Sequence, residues 1–363
     1  MKFYFLLFFS CFFLMYCQEK ENQSKKNTQK QTDFTPAFKI QKYEHYQLLT
    51  IYFNEKKDSV LYAFVPKNKK IETNIPTKNI IRTPVQKIVT FSHTHLACIE
   101  KLEQNNTILG VTEGSFLKDS KWEKSIQEKK IIDLGTADEG VKEKIIAIKP
   151  EIVLISNAMD INKLSSLRKF NIQTIVNLDW LETHPLGRAE WIKIFGLMFE
   201  TEKEAENIFE KIQKEYNEIK NIAQKKSKNI SVLTDMPFRG TWYLAGGKSY
   251  MAQFIKDAGG DFVGKDNDNT ASIPMTIEKL YVKGKNIDIW LNVGQAKTLD
   301  EIAKNDERLT NFLPYQQKKI YNYGADYWLT SIINPQEILA DMLHIFHPEL
   351  LKDRKMKYYT KLK

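Results

Sequence analysis

Cysteine is nearly missing from the body of the chain. Three occur in 363 residues, and two of them, Cys11 and Cys17, fall within the first seventeen. That is too few for a disulfide framework and leaves no C-x-x-C pair. Cys98, flanked by Leu96, Ala97 and Ile99, reads as a core residue rather than a nucleophile. Glycine and proline are also sparse, at 15 and 11, which excludes collagen-like and linker-like chains. There is no Walker A loop, no H-E-x-x-H and no G-x-S-x-G elbow. The glycines of Gly259-Gly260-Asp261-Phe262-Val263-Gly264 have the wrong spacing for a dinucleotide turn and follow a helical pattern. No basic stripe is interleaved with aromatics. The net charge of +9 is spread in short lysine pairs such as Lys129-Lys130, so no nucleic-acid partner is expected. What is present is 42% hydrophobic and 27% charged residues, enough for one large domain or two ordinary lobes.

The first segment reads as an address. The fourteen residues from Phe3 to Tyr16 have Ser10 as their only clearly polar member. As a helix they would span about 21 Å, short of the roughly 30 Å hydrocarbon core, which fits a secretory segment and not a membrane anchor. The run ends Leu14-Met15-Tyr16-Cys17, which resembles a bacterial lipobox with Cys17 as the lipidated residue, although Tyr16 is bulky for its place. An ordinary signal peptide with an incidental cysteine is the alternative. From Gln18 to Asp33 no residue is apolar, so residues 18–35 are expected to be a disordered tether. Together these features imply an exported bacterial lipoprotein, on the periplasmic face of a membrane or at the cell surface.

Residues 36–83 carry two strand-like runs, Gln47–Phe53 and Val60–Val65, around a polar turn, and predict a β-hairpin extension. From Pro84 strands and helices alternate. Strands are expected at Ile88–Phe91, Ile108–Val111, Ile131–Leu134, Ile152–Ile155 and Thr174–Asn177, with helices at Leu96–Leu102 and Lys142–Ile148. A helical tract over 186–228 follows, in which Thr201 and Glu204 fit a capping box. The alternation restarts with strands at Ile230–Leu233, Ile287–Leu291 and Lys319–Asn322, and a helix at Ser249–Ala258. A closing helix starts at Pro335 behind Asn334 as N-cap. Residues 351–363 read as a basic tail. The expected fold is therefore α/β: two Rossmann-like lobes, 84–185 and 229–350, joined by a long interlobe helix, with the N-terminal β-hairpin in front.

Several segments resemble class III periplasmic binding proteins, the ABC-importer receptors for cobalamin, ferric siderophores and haem. Gln86–His95 is similar to their first strand and loop. Glu143–Leu154, with Lys149-Pro150-Glu151-Ile152-Val153 at its centre, resembles their helix–strand signature. Ala258–Phe262 resembles the Gly-Gly turn of the second lobe, and Asp326–Trp328 through Leu350 the terminal helix. The likeness covers about 84–350. It implies a ligand held in the interlobe cleft, no catalysis, no covalent cofactor, and a monomer delivering its cargo to an ABC permease and ATPase. It also implies that Glu143 and Glu278, one from each lobe, dock against the permease. Cobalamin receptors carry cleft tryptophans where this chain has Ala137 and Ser272.

Ligands of open α/β sheets sit beyond the carboxyl ends of the strands, so the loops there supply the candidates. His93 and His95 flank a strand end and could ligate haem iron, or simply be satisfied in the core. Glu113 and Trp180 follow other strands. Arg239, beside Gly240, suits a carboxylate or phosphate clamp, or a surface ion pair. Trp242 and Tyr243 could be cleft platforms or strand core. Trp328 lies beside Asp326, which the resemblance implies as an acidic ligand contact. The leading expectation is a metal complex as ligand, a ferric siderophore or haem, delivered to an importer. The alternatives are a cobalamin receptor, a surface capture lipoprotein without a permease, and an enzyme on the same scaffold, which would need a perturbed titratable pair in the cleft. No resident metal is named by any motif.

Overall fold

The short apolar runs become strands, and the order in which they pair explains where a cleft can form. The computed structural model describes residues 27–363 except 31–33, 54–55, 72–74, 119, 139, 226–229 and 325, and only the backbone of 27–30. Cys17 and the apolar run before it lie outside the described residues. Among the described residues no helix is long and apolar enough to cross a membrane.

The N-terminal extension is larger than a hairpin. Strands β1 (Asn27–Lys30), β2 (Phe38–Lys42), β3 (Gln47–Phe53), β4 (Asp58–Pro66) and β5 (Ile80–Thr83) form one sheet in sequence order. The expected pair is its centre, β3 against β4. Strand β1 lies within the stretch expected to be a tether, and its backbone pairs with β2 along the sheet's edge. Period-two alternation splits the sheet's side chains. Phe38, Leu49, Ile51, Tyr62 and Phe64 join the main core, while Leu48, Ala63 and Val65 pack with Tyr46 in a small separate cluster. The Tyr62 hydroxyl accepts from the Val176 amide, and the Phe38 ring meets Trp191 edge-on, so the sheet is fastened to the body.

The first lobe is a five-stranded parallel sheet. Its strands are β6 (Ile88–Thr90), β7 (Ile108–Val111), β8 (Ile132–Asp133), β9 (Ile152–Ile155) and β10 (Gln173–Val176), in the order β10-β9-β6-β7-β8. The chain leaves β6 to one side and later returns to its other side, so the order reverses between β6 and β9. The second lobe repeats the plan with β11 (Ile230–Thr234), β14 (Gly260–Phe262), β16 (Ile289–Leu291), β17 (Ile320–Tyr323) and β18 (Tyr359–Lys361), ordered β14-β11-β16-β17-β18. A small antiparallel sheet, β12 (Pro237–Phe238), β13 (Thr241–Leu244) and β15 (Ile273–Met275), stands beside it.

The residues beyond 350 are not a free basic tail. Strand β18 adds antiparallel to β17, and Tyr358, Tyr359 and Leu362 are buried. Buried Asp341 accepts from the amides of Lys357, Tyr358 and Tyr359 and from the Arg354 guanidinium. The two lobes are bridged by the helix Glu202–Ala223, 22 residues long, which buries Ala205, Phe209, Ile212 and Tyr216 on one stripe. Its expected capping box is not made. Thr201 occupies the N-cap but makes no side-chain cap bond, and its hydroxyl is buried without a partner. Asn334 likewise stands before the helix Pro335–Phe346 without capping it, because its amide donates to the Thr330 carbonyl instead.

Candidate functional site

The carboxyl ends of both parallel sheets face a common cleft of about 740 Å³. Each wall comes from a point where the strand order reverses, the place an open α/β sheet leaves a crevice. On the first lobe Ser92 and Thr94 follow β6, Ser156 and Asn157 follow β9, and Asp179 and Trp180 follow β10. On the second lobe Asp235 follows β11, Asn292 follows β16 and Tyr323 ends β17. Asp235 and Asn292 both take left-handed backbone angles, φ 66° and 61°, which Asp and Asn tolerate better than most residues. The helix Tyr250–Asp257 points its first turn into the cleft, with Ser249 capping it by accepting from the Ala252 amide.

Aromatic rings stand on both walls. Trp180 is half exposed, and its indole nitrogen donates to the Ser156 carbonyl at 2.8 Å, which fixes the ring. Opposite it, Tyr323 stacks on Tyr327 at 4.9 Å, and Trp328 meets both edge-on at 5.3 and 5.2 Å. Trp328 remains half exposed toward the cleft. Arg188 lies at the floor. Its guanidinium pairs with Asp179 at 2.9 Å and lies 4.5 Å from the centre of the Tyr250 ring. Two carboxyls on the cleft are raised by burial: Asp235 to about 6 and Glu182 to about 7. Glu182 accepts from the Thr35 hydroxyl and the Trp191 indole, so its burial is part of the fold.

Of the residues singled out from the sequence, the structure brings Trp180 and Trp328 onto the cleft. The others lie elsewhere. His95 is fully buried; its Nδ1 bonds the Thr90 hydroxyl at 2.6 Å, and burial lowers its pKa to about 4, so it is a neutral core imidazole and cannot reach a ligand. His93 bonds the Thr112 carbonyl and packs near Phe116, outside the cleft lining. Trp242 is core as well: it stacks on Trp290 at 5.5 Å and donates to the Thr234 carbonyl. Tyr243, next along β13, points the opposite way and is half exposed away from the cleft lining. Arg239 lies against Phe238 on the surface, and Glu113 and Asp326 are exposed but not on the cleft lining. Of the positions where cobalamin receptors carry tryptophan, Ser272 lines the cleft and Ala137 does not. Cys98 is fully buried, which raises its thiol and makes it unreactive.

The groups missed from the sequence are Arg188, Tyr250, Tyr323 and Asp235. Asp235 carried a signal, a charged residue at the end of a parallel strand. Arg188 and Tyr250 sit in helices, the second at a helix start, and carried none. Among the described residues there is no group of three or more His, Cys, Asp or Glu placed to hold a metal ion.

The geometry is that of a two-lobed receptor, and comparison with known proteins decides the family. Residues 88–327 match the periplasmic binding protein family. The chain belongs to that family. Its members are substrate-binding proteins of ABC-type transport, and the expected class III build, two lobes around an interlobe helix, is borne out. An uncharacterized lipoprotein of Methanocaldococcus jannaschii is 27% identical over 293 residues, covering 78% of this chain and 70% of the relative. The solved petrobactin-binding protein of Bacillus subtilis has a TM-score of 0.57 at 16% identity, covering 82% of this chain and 98% of that one. A periplasmic heme-binding protein of Roseiflexus has a TM-score of 0.56 at 16% identity, covering 73% and 99%. At these identities the solved structures show the fold. As in the family at large, the work expected of the cleft is binding rather than chemistry.

Glu143 and Glu278 each stand exposed in the first turn of a helix, Val141–Ile148 and Ile277–Gly284. The second helix is already capped by Thr276, which accepts from the Lys279 amide. Glu278 also pairs with Arg308, which in turn holds Asp306.

Proposed function

We propose that this chain is the substrate-binding lipoprotein of an ABC importer, holding an iron complex, a ferric siderophore or haem, in the interlobe cleft. It is anchored through lipidated Cys17 and hands its cargo to a permease that reads Glu143 and Glu278. The observation that carries the reading is the pair of aromatic walls, Trp180 on one lobe and Tyr323, Tyr327 and Trp328 on the other, across a cleft of about 740 Å³. Such faces suit a large, partly apolar, face-presenting ligand and are typical of small-molecule sites of this volume. The similar proteins named above, a petrobactin-binding protein, a heme-binding protein and a lipoprotein, point the same way. For haem, no histidine lines the cleft among the described residues, so an axial ligand would come from a tyrosine or from Met251. A corrinoid is less well provided for, since Ser272 stands on the cleft where a tryptophan would serve it.

The test is the absorption spectrum of protein purified from its host, followed by tryptophan quenching on titration with each class of complex. A ferric charge-transfer band or a haem band, together with quenching of wild type and loss of quenching in Trp180→Phe, supports the reading. Corrinoid bands turn it to cobalamin. A colourless protein quenched by none of the three classes refutes it.

A further inference from the structure

Four charged side chains line the cleft among the described residues: Asp179, Glu182, Arg188 and Asp235. No lysine or histidine is with them. Arg188, the cation, is already matched by Asp179 at 2.9 Å. Glu182 is turned to Thr35 and Trp191. Asp235 differs. The Thr234 hydroxyl and the Ala245 amide both reach its Oδ2, at 2.7 and 3.3 Å, and its Oδ1 accepts no hydrogen bond among the described residues. The turn that presents it is held from behind: the Trp290 indole donates to the Asp235 carbonyl and the Trp242 indole to the Thr234 carbonyl. The carboxylate is therefore fixed by a rigid support, at the reversal point of the second sheet, with no opposing cation of its own.

We infer that the cleft selects a metal complex that is neutral or positively charged overall, and that Asp235 sets this preference. The inference rests on the metal-complex reading above. A polyanionic complex brought into this cleft meets a fixed carboxylate, and Arg188 is already neutralised, so the like charges repel without relief. A neutral complex lacks that penalty. Haem, with two propionates and no cation to receive them, falls on the disfavoured side.

The experiment titrates the purified full-length chain, by tryptophan quenching at about pH 8, with four probes. These are a ferric tris-hydroxamate bearing an added ammonium, a neutral ferric tris-hydroxamate, a triply negative ferric tris-catecholate and ferric haem. At that pH Asp235, raised mainly by burial to about 6, is ionised. Expected is binding of the two hydroxamates at least about tenfold tighter than of the catecholate or haem. Asp235→Asn keeps the shape and the acceptor for Thr234. It should leave the neutral complex within about twofold and narrow the gap to the catecholate by about tenfold. If the catecholate or haem binds as tightly as the hydroxamates, the charge inference is overturned while the metal-complex reading stands. A gap that is present but unchanged in Asp235→Asn removes Asp235 as its cause. If the folded protein binds none of the four, the metal-complex reading itself fails, and this inference with it.

Discussion

Glu182 makes stability depend on pH in a direction opposite to that of most carboxylates. It is 5% exposed and accepts from Thr35 and Trp191, and burial, aided by nearby Glu190 and Asp179, raises it from 4.5 to about 7. The unfolded chain releases this proton near pH 4.5, whereas the folded chain keeps it until about pH 7. Between those values the folded state binds more protons, so stability falls as pH rises through the window and stays lower above it. At 1.36 kcal/mol per pKa unit the loss is roughly 3 kcal/mol. Glu182→Gln removes the titration and retains an oxygen that accepts the same two hydrogen bonds. Urea unfolding of wild type and variant at pH 5 and pH 8 isolates the effect, because the other titrating groups, Asp235 among them, cancel in the double difference. The wild type should lose about 3 kcal/mol more than the variant between the two pH values. Parallel losses would mean that Glu182 is ionised and solvated in the folded state, and the account of its burial would be wrong.

Trp242→Ala should cost about 3–5 kcal/mol in urea unfolding, because it empties a core site stacked on Trp290. Trp328→Ala should do the reverse: its stability stays near wild type, while binding of the metal complex weakens by about 1–3 kcal/mol in a quenching titration. Asp341→Ala strips three amides of their acceptor and leaves Arg354 with Glu337 alone; a loss of about 3–5 kcal/mol and proteolysis within 350–363 are expected, and a wild-type melt would refute the role. Glu143→Ala with Glu278→Ala should leave unfolding within about 0.5 kcal/mol of wild type and still reduce uptake through the cognate transporter; normal uptake would leave both as helix-start carboxylates. Cys17→Ala should move the protein from the membrane fraction to the soluble one, and unchanged fractionation would rule out the lipid anchor.

The lobes were legible because parallel strands buried on both faces read as continuous apolar runs. Ile88–Phe91, Ile108–Val111 and Ile152–Ile155 announce themselves in this way. Edge strands do not. β1 is polar throughout, and β18 is hidden in a lysine-rich segment whose buried members are only Tyr358, Tyr359 and Leu362. What recruits it is Asp341, the buried carboxylate of the helix Pro335–Phe346, and nothing local says that its partners lie sixteen to eighteen residues on. The capping signals failed for a similar reason. Thr201 and Asn334 are of the right type, but the Asn334 amide is taken by the Thr330 carbonyl, and the Thr201 hydroxyl is buried without reaching a helix amide. In the site, Trp180 and Trp328 were legible as strand-end aromatics. For Trp242 and Tyr243 period two sends neighbours to opposite faces, and the sequence does not say which face is core.

A receptor cleft leaves so little motif because its groups come from strand ends separated by whole βα units. Asp179, Arg188 and Tyr250 show the consequence. Arg188 pairs with the first lobe through Asp179 and lies over Tyr250 of the second, so one guanidinium ties both walls at the cleft floor. The connecting helix is bound to the second lobe in the same manner: the Tyr216 hydroxyl and Lys220 both reach Asp257, at the end of the helix that begins with Tyr250. A cation used to hold the lobes together is withdrawn from the ligand. The charge left facing the ligand is then that of Asp235, while the aromatic walls supply contact area. Shape and stacking therefore do most of the recognition, and charge acts mainly to exclude.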